Sequence, residues 1–238
     1  MKVIDAVWEK RNLGISTSEI IVENTDSYDD IYECLSIQSS EYLVLKVPTS
    51  QVGLVWEIQK NGFVYVEDMV HLVSNLKVPP RSPIESRVDN AVTYRIMNKS
   101  DLEDLIRKIK NGLFKTDRIS IDPSFTKEQA SERYVNWVKD EWLSGTSFYS
   151  HIYKGKKIGF VSVKEKYAGR YISSLGGMYP EYQNAAYGSV VKVIDIVKML
   201  GGRSVETDVS TNNPAQIRNL INYGYMPTGI SHTFVKHS

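Results

Sequence analysis

Between Tyr182 and the apolar run VVKVIDIVKML the chain reads QNAAYGS, Gln183 to Ser189. Small residues at Ala185, Ala186 and Gly188 let the backbone pass close to whatever sits over the start of the following helix. Unpaired N–H groups and the positive end of the helix dipole make that spot an anion site. The pyrophosphate of a cofactor is its natural occupant, although a tight strand-to-helix turn has the same composition. Some twenty-five residues on lies NNPAQIRNLINYGY, Asn212 to Tyr225. There Asn213 reads as a helix N-cap, with Pro214 at the first helical position and Gln216 as capping-box partner. Asn213 is also a candidate for a cofactor contact, since a capping side chain leaves its backbone free.

The rest of the chain must position these groups. With 238 residues there is room for one large domain or two small ones around a substantial core. The 42% hydrophobic and 24% charged content is globular, and 29 Lys+Arg against 28 Asp+Glu give a net charge of +1, so nucleic acid is a poor partner. The single Cys34 cannot form an internal disulfide, and His71, His151, His232 and His237 show no ligand spacing, so no metal is expected. No apolar run near Met1 suits a signal peptide, and VVKVIDIVKML is interrupted by Lys192, Asp195 and Lys198. A cytoplasmic protein without a membrane partner is therefore expected.

Three of the eight prolines fall in VPPRSPIESRVDN, 78 to 90, which reads as an extended linker. It divides an N-terminal domain, 1–80, from a C-terminal domain, 91–238. In the latter, VTYRIM has strand composition, Ser100 with Glu103 predicts a capped helix, and DRISIDPS reads as loop or strand. Thr126 with Gln129 opens a second helix, whose Ala130, Tyr134, Trp137 and Val138 share a face. Strands follow at 147–153, 157–166 and 170–178, then helix 187–200, strand VETDVS, helix 214–223 and strand GISHTFVK. The order β-α-α-β-β-β-α-β-α-β predicts an α/β protein whose mixed sheet is packed by helices. Residues 46–73 also lie over 208–235 without a gap, at the constant offset 224 − 62 = 162 that pairs Gly62 with Gly224. Both copies read strand, turn, helix, Gly-aromatic, strand.

The run from Met178 through Pro180, Glu181, Tyr182, Gln183, Ala186 and Gly188 resembles the acetyl-CoA signature of the GCN5-related N-acetyltransferases. Asn213, Gly224 and Tyr225 fit that family's next conserved piece, and the resemblance covers about residues 91 to 238. It implies a mostly antiparallel mixed sheet in which two parallel strands, 170–178 and 204–210, splay apart, preceded here by a truncated copy of the same fold. It implies acetyl-CoA with its pantetheine arm in the gap, held by backbone near Leu175, Gly176 and Met178. Gln183, Asn184, Ala185, Ala186, Tyr187, Gly188 and Ser189 would cradle the pyrophosphate. The implied reaction is direct attack of a neutral amine on the thioester, which needs a base for the ammonium and an acid for the thiolate. At the family's acid position this chain has Leu220, so Tyr223 is the nearest substitute, with Tyr225 a second that more naturally fills the core. Glu165 and His232 are the titratable groups expected to face the cleft as base.

A narrower resemblance, to the dTDP-4-amino-4,6-dideoxygalactose (dTDP-fucosamine) N-acetyltransferases, rests on WEKRNLGISTSEI and on residues 116–142. It implies a nucleotide-linked amino sugar as acceptor, in polysaccharide biosynthesis, with Arg118 pairing with a diphosphate and Tyr134 stacking on a base or sugar. Tyr134 and Trp137 sit on the apolar face of their helix and so also read as core residues. Another small amine or peptide as acceptor, or a silent acyl-CoA-binding protein, remain the alternatives. Oligomeric state is open, a homodimer being one expectation.

Overall fold

A computed structural model gives the structure of the protein and describes residues 1–183 and 189–238. The N-terminal part forms β1 (Lys2–Asp5), α1 (Val7–Leu13), β2 (Thr17–Ile21), α2 (Tyr28–Ser36), β3 (Tyr42–Pro48), α3 (Val52–Lys60) and β4 (Val64–Ser74). After the linker come α4 (Pro83–Ala91), β5 (Val92–Ile96), α5 (Lys99–Lys110), a one-turn α6 (Arg118–Ile121) and α7 (Lys127–Leu143). Then follow β6 (Ser147–Tyr153), β7 (Lys156–Tyr167), β8 (Arg170–Ile172), β9 (Gly176–Met178), α8 (Ser189–Met199), β10 (Ser204–Ser210), α9 (Pro214–Asn222) and β11 (Met226–His237). Among the described residues no helix is long and apolar enough to cross a membrane.

All the strands join one mixed sheet in the order β1-β2-β3-β11-β4-β10-β8-β7-β6-β5, with β9 on β7. Side chains alternate across it, so each face collects its own core. On the back, Val70, Leu72, Val205 and Val209 pack with Val193, Ile194 and Val197 of α8 and Leu220 of α9, while Leu43, Leu45 and Val47 meet α2 and α3. On the front, Phe148, Phe160 and Leu175 meet α5 and α7, and Tyr42, Val44 and Val235 meet α1, α6 and α7.

The sequence repeat reappears as strand pairing. β11 runs between β3 and β4, and β4 runs between β11 and β10, all antiparallel. Met69 faces Ser231, which is its own partner at the offset of 162 (231 − 69), so a pseudo-twofold axis passes there. Every other pair except Tyr42 on His237 maps onto a second observed pair: Val209 on Val70 becomes Val47 on His232, and Asp208 on His71 becomes Lys46 on Thr233. Even the two register shifts in β11·β4 exchange, since Pro227 opposite Leu72 maps to Tyr65 opposite Phe234. Each half therefore lends its last strand to the other, and neither set of strands is contiguous alone.

Four local expectations are corrected. Residues 83–91 are helical rather than extended, because Ser82 caps Glu85 N, Glu85 returns the bond, and Pro83 fits the first turn. The helix expected from Ser100 is capped by Asn98 with Asp101, whose carboxylate also takes Arg95 and Lys157. Residues 118–121 form a helical turn behind the Asp117 cap. The strand expected over 170–178 breaks in two. At the C-terminal end of α9, Gly224 has φ +86 and lies so close to the linker that a Cβ would sit 2.4 Å from the Lys77 carbonyl, which leaves glycine as the residue that fits.

Candidate functional site

The break between β8 and β9 opens the sheet. β8 pairs in parallel with β10 as far as Ile172 opposite Glu206, and Ser173 adds its N–H to the Glu206 carbonyl at 2.9 Å. Beyond Thr207, whose hydroxyl donates to the Ser173 carbonyl at 2.8 Å, no hydrogen bond joins 174–178 to β10 among the described residues. The chain instead follows β7, with Gly176 opposite Val161 and Met178 opposite Gly159. A bulge makes the switch: Ile172 faces Lys164 but Gly176 faces Val161, one residue more on the β8–β9 side. Ser162 holds it, donating its N–H to the Leu175 carbonyl at 2.6 Å and accepting the Leu175 N–H on its hydroxyl at 3.0 Å.

Leu175 and Tyr179 bond to β7, so the alternation of an antiparallel ladder turns the N–H and C=O of Gly176 and Met178 toward the gap. These groups can receive an extended amide-bearing chain as a further strand. The expected arm-binding residues Leu175, Gly176 and Met178 thus stand together at one gap wall, with Leu175 buried in the front core. Gln183 is exposed in the turn that follows a 3-10 segment, 180–182, and Ser189 is the first residue of α8. The intervening Asn184, Ala185, Ala186, Tyr187 and Gly188 lie outside the described residues. Asn213 caps α9, its side chain accepting Gln216 N–H at 3.2 Å.

The front of the sheet departs from expectation. Arg118 is buried, its Nη2 donating to Glu19 at 2.6 Å and Glu9 at 3.2 Å, while Arg133 adds to Glu9 and Lys46 to Glu19. Burial opposes the guanidinium charge, but Glu19, Tyr42 and Glu9 outweigh it. Burial likewise pushes the Glu19 carboxyl up, and Arg118 and Lys46 more than reverse this, to about 2. Arg118 is therefore already neutralised, which corrects the expectation of a guanidinium waiting for a diphosphate. Tyr134 stacks on Phe114 at 4.2 Å and on Trp137 at 5.9 Å, and burial raises its phenol pKa, with Asp117 adding to the effect. A Cβ built on Gly177 would be 3.9 Å from Phe114, so this aromatic stack reaches the gap wall.

The expected acid and bases, Tyr223, Glu165 and His232, each already hold a hydrogen-bond partner. Tyr223 donates its hydroxyl proton to Asp89 at 2.5 Å and accepts from Arg81 Nη2 at 3.1 Å, and Arg81 also covers its ring at 4.3 Å. It clamps the linker to α9, and burial, helped by Asp89, raises its pKa. Glu165 is exposed and takes the Gly169 N–H at 2.8 Å, closing the β7–β8 turn rather than facing a cleft. His232 meets Asp68 at 2.6 Å on β11, two strands removed from the gap-lining β10.

Three groups that sequence reading passed over border the front. Glu67 is buried, with Oε2 unpartnered among the described residues, and burial raises its carboxyl above the usual range. His71 and Asp208 meet at 2.7 Å (Nδ1 to Oδ1). Since Val70 and Leu72 face the back, Glu67, Met69 and His71 face the front, and Asp208 shares that face by register. His71 and Asp208 line an open cavity of about 390 Å³ with Asn24, Ser50, Met69 and Ser231. The signal for these residues lay in the 162-residue offset, which matches His71 with Thr233 and Asp208 with Lys46, so neither position is dictated by the repeat.

No protein-family model matches the sequence, and no curated protein matches it. Solved structures do resemble the fold. A GCN5-related N-acetyltransferase from Sphaerobacter thermophilus matches with a TM-score of 0.63 at 14% identity, over 99% of this chain and 75% of that one. A functionally unknown conserved protein from Staphylococcus epidermidis matches at 0.61 and 16%, over 94% and 85%. A tandem protein of the same fold family, from the clavulanic acid biosynthesis pathway, matches at 0.56 and 11%, over 94% and 77%. The fold is that of the GCN5-related N-acetyltransferases, with the mixed sheet and helical layers the sequence pattern called for.

Proposed function

We propose that this protein is an acetyl-CoA-dependent N-acetyltransferase, with residues 91–238 as the transferase unit and residues 1–80 as a truncated copy that completes its sheet. One observation carries the reading: β9 and β10 part beyond Thr207 and leave the polar edge of Gly176 and Met178 facing an unfilled strand position. The pantetheine amides of acetyl-CoA suit that edge, and α8, which begins at Ser189, offers an N-terminus of the kind that binds a pyrophosphate. When bound, the cofactor supplies the acetyl group as a reactive thioester. The chain's part is to align the arm by β-type bonding, to exclude water with Phe114 and Tyr134 over the gap wall, and to take a proton from the acceptor amine.

The nucleotide-linked amino sugar suggested by resemblance loses support at Tyr134, whose ring already stacks on Phe114 and Trp137, and at Arg118, whose charge is spent on Glu9 and Glu19. A primary amine is the acceptor class retained. With acetyl-CoA at ~100 times its dissociation constant, linkage predicts stabilisation by about 2.7 kcal/mol, read as a denaturant-midpoint shift. Absence of any shift up to millimolar acetyl-CoA, with no thiol released by any amine, would sink the proposal.

A further inference from the structure

The cavity beside the gap bears on what the second substrate must be, an inference that rests on the acetyl-transfer reading. Asp208 stands on β10, the strand that walls the gap, and His71 stands beside it on β4. The His71 Nδ1 lies 2.7 Å from Asp208 Oδ1, and Nε2 has no hydrogen-bond partner among the described residues. A carboxylate on Nδ1 favours the tautomer that carries its proton there and leaves the Nε2 lone pair free. The other lining residues, Asn24, Ser50, Met69 and Ser231 among them, are all uncharged. Among the described residues no lysine or arginine lines the cavity, so a phosphate placed there would face the Asp208 carboxylate with no cation to offset it, whereas an ammonium gains a charge-assisted hydrogen bond. At about 390 Å³ the space suits one small ligand.

We propose that this cavity takes a small, phosphate-free primary amine, held as its ammonium by Asp208, with His71 Nε2 as the proton acceptor. One ammonium proton passes to Nε2, and the resulting imidazolium is balanced by Asp208. The freed nitrogen lone pair forms the C–N bond to the acetyl carbon as the C–S bond breaks. The second amine proton ends on the departing sulfur, and His71 returns its proton to solvent. The sum is amine plus thioester giving amide plus thiol, with no other reactant.

The test uses the full chain, acetyl-CoA, and probes matched apart from phosphate: glucosamine against glucosamine 6-phosphate, and ethanolamine against phosphoethanolamine, with a dTDP-linked amino sugar as the nucleotide arm. Thiol release is expected to favour the phosphate-free member of each pair by roughly tenfold or more in kcat/KM. H71A is expected to lower kcat by ~10²–10⁴-fold, with partial rescue by added imidazole, which a merely structural histidine would not show. D208N is expected to raise the amine KM roughly tenfold while leaving acetyl-CoA affinity unchanged. Preference for the phosphorylated or nucleotide-linked amines overturns the proposal, as does H71A with wild-type kcat. If no amine releases thiol although acetyl-CoA binds, the acetyltransferase reading fails. In that case a glucosamine-induced shift of the His71 imidazole resonance still supports the amine site, and its absence overturns that too.

Discussion

Replacing Arg118 with Met separates two roles for the residue, a ligand for substrate and an internal strut. In the structure Glu9 is fully buried and Glu19 nearly so, and Arg118 bridges them at 3.2 and 2.6 Å. Removing one partner of a buried ion pair typically costs ~3–5 kcal/mol, because the remaining charge stays out of water. Arg133 remains 2.7 Å from Glu9 and Lys46 remains 2.9 Å from Glu19, so the low end, about 3 kcal/mol, is expected for R118M. At about 2–4 °C per kcal/mol for a chain of this size, Tm should fall by about 6–12 °C. The pH dependence carries its own signature. The folded-state pKa of Glu19, about 2, lies below the ordinary glutamate value of 4.5, so its pairing contributes fully above pH 4.5 and is lost as pH falls toward 2. The wild-type advantage over R118M in calorimetry should therefore shrink across that window, and E19Q added to R118M should recover part of the loss at neutral pH. A variant that melts within about 2 °C of wild type, yet has a raised acceptor KM, would refute the strut and return Arg118 to the substrate.

The Tyr223 hydroxyl lies between Asp89 and Arg81, so Y223F should cost about 1–2 kcal/mol in chemical denaturation while thiol release per folded molecule is kept; a ~10²–10⁴-fold loss of kcat would make it the thiolate acid instead. S162A strips the Leu175 N–H of its acceptor at the bulge, and is expected to cost ~1–3 kcal/mol and to weaken acetyl-CoA binding, both measurable by calorimetry.

Much of the fold was legible because local chemistry agrees with it. Thr126 with Gln129, and Asn213 before Pro214, start helices where caps predict them. Where two local signals competed, the tertiary partner decided. Asn98 outranks Ser100 because Asp101 can cap the helix and also pair with Arg95 and Lys157. The prolines of the linker hid α4, although Ser82, Pro83 and Glu85 spell out its start. The gap itself was legible only through family resemblance, since the bulge depends on a hydroxyl, that of Ser162, thirteen residues away from the Leu175 N–H it accepts. Arg118 misled because nothing near it in sequence announces Glu9 and Glu19, 109 and 99 residues earlier. His71 and Asp208, 137 residues apart, show the same limit: pairing across strands is a property of the fold, and a single sequence does not encode it locally.

The lending of strands between the halves has a consequence for biosynthesis. β3 and β4 are consecutive strands, yet they cannot pair with one another in the finished sheet, because β11 must come between them. On the ribosome the slot stays open while some 150 further residues emerge, at ≈ 5–20 residues per second. During those seconds the first half presents one edge of β3 and both edges of β4 bare, and a release before β11 leaves the slot between β3 and β4 bare for good. Nascent chains of this protein should therefore lean on chaperones late in synthesis, and premature termination products should aggregate rather than persist as a soluble half.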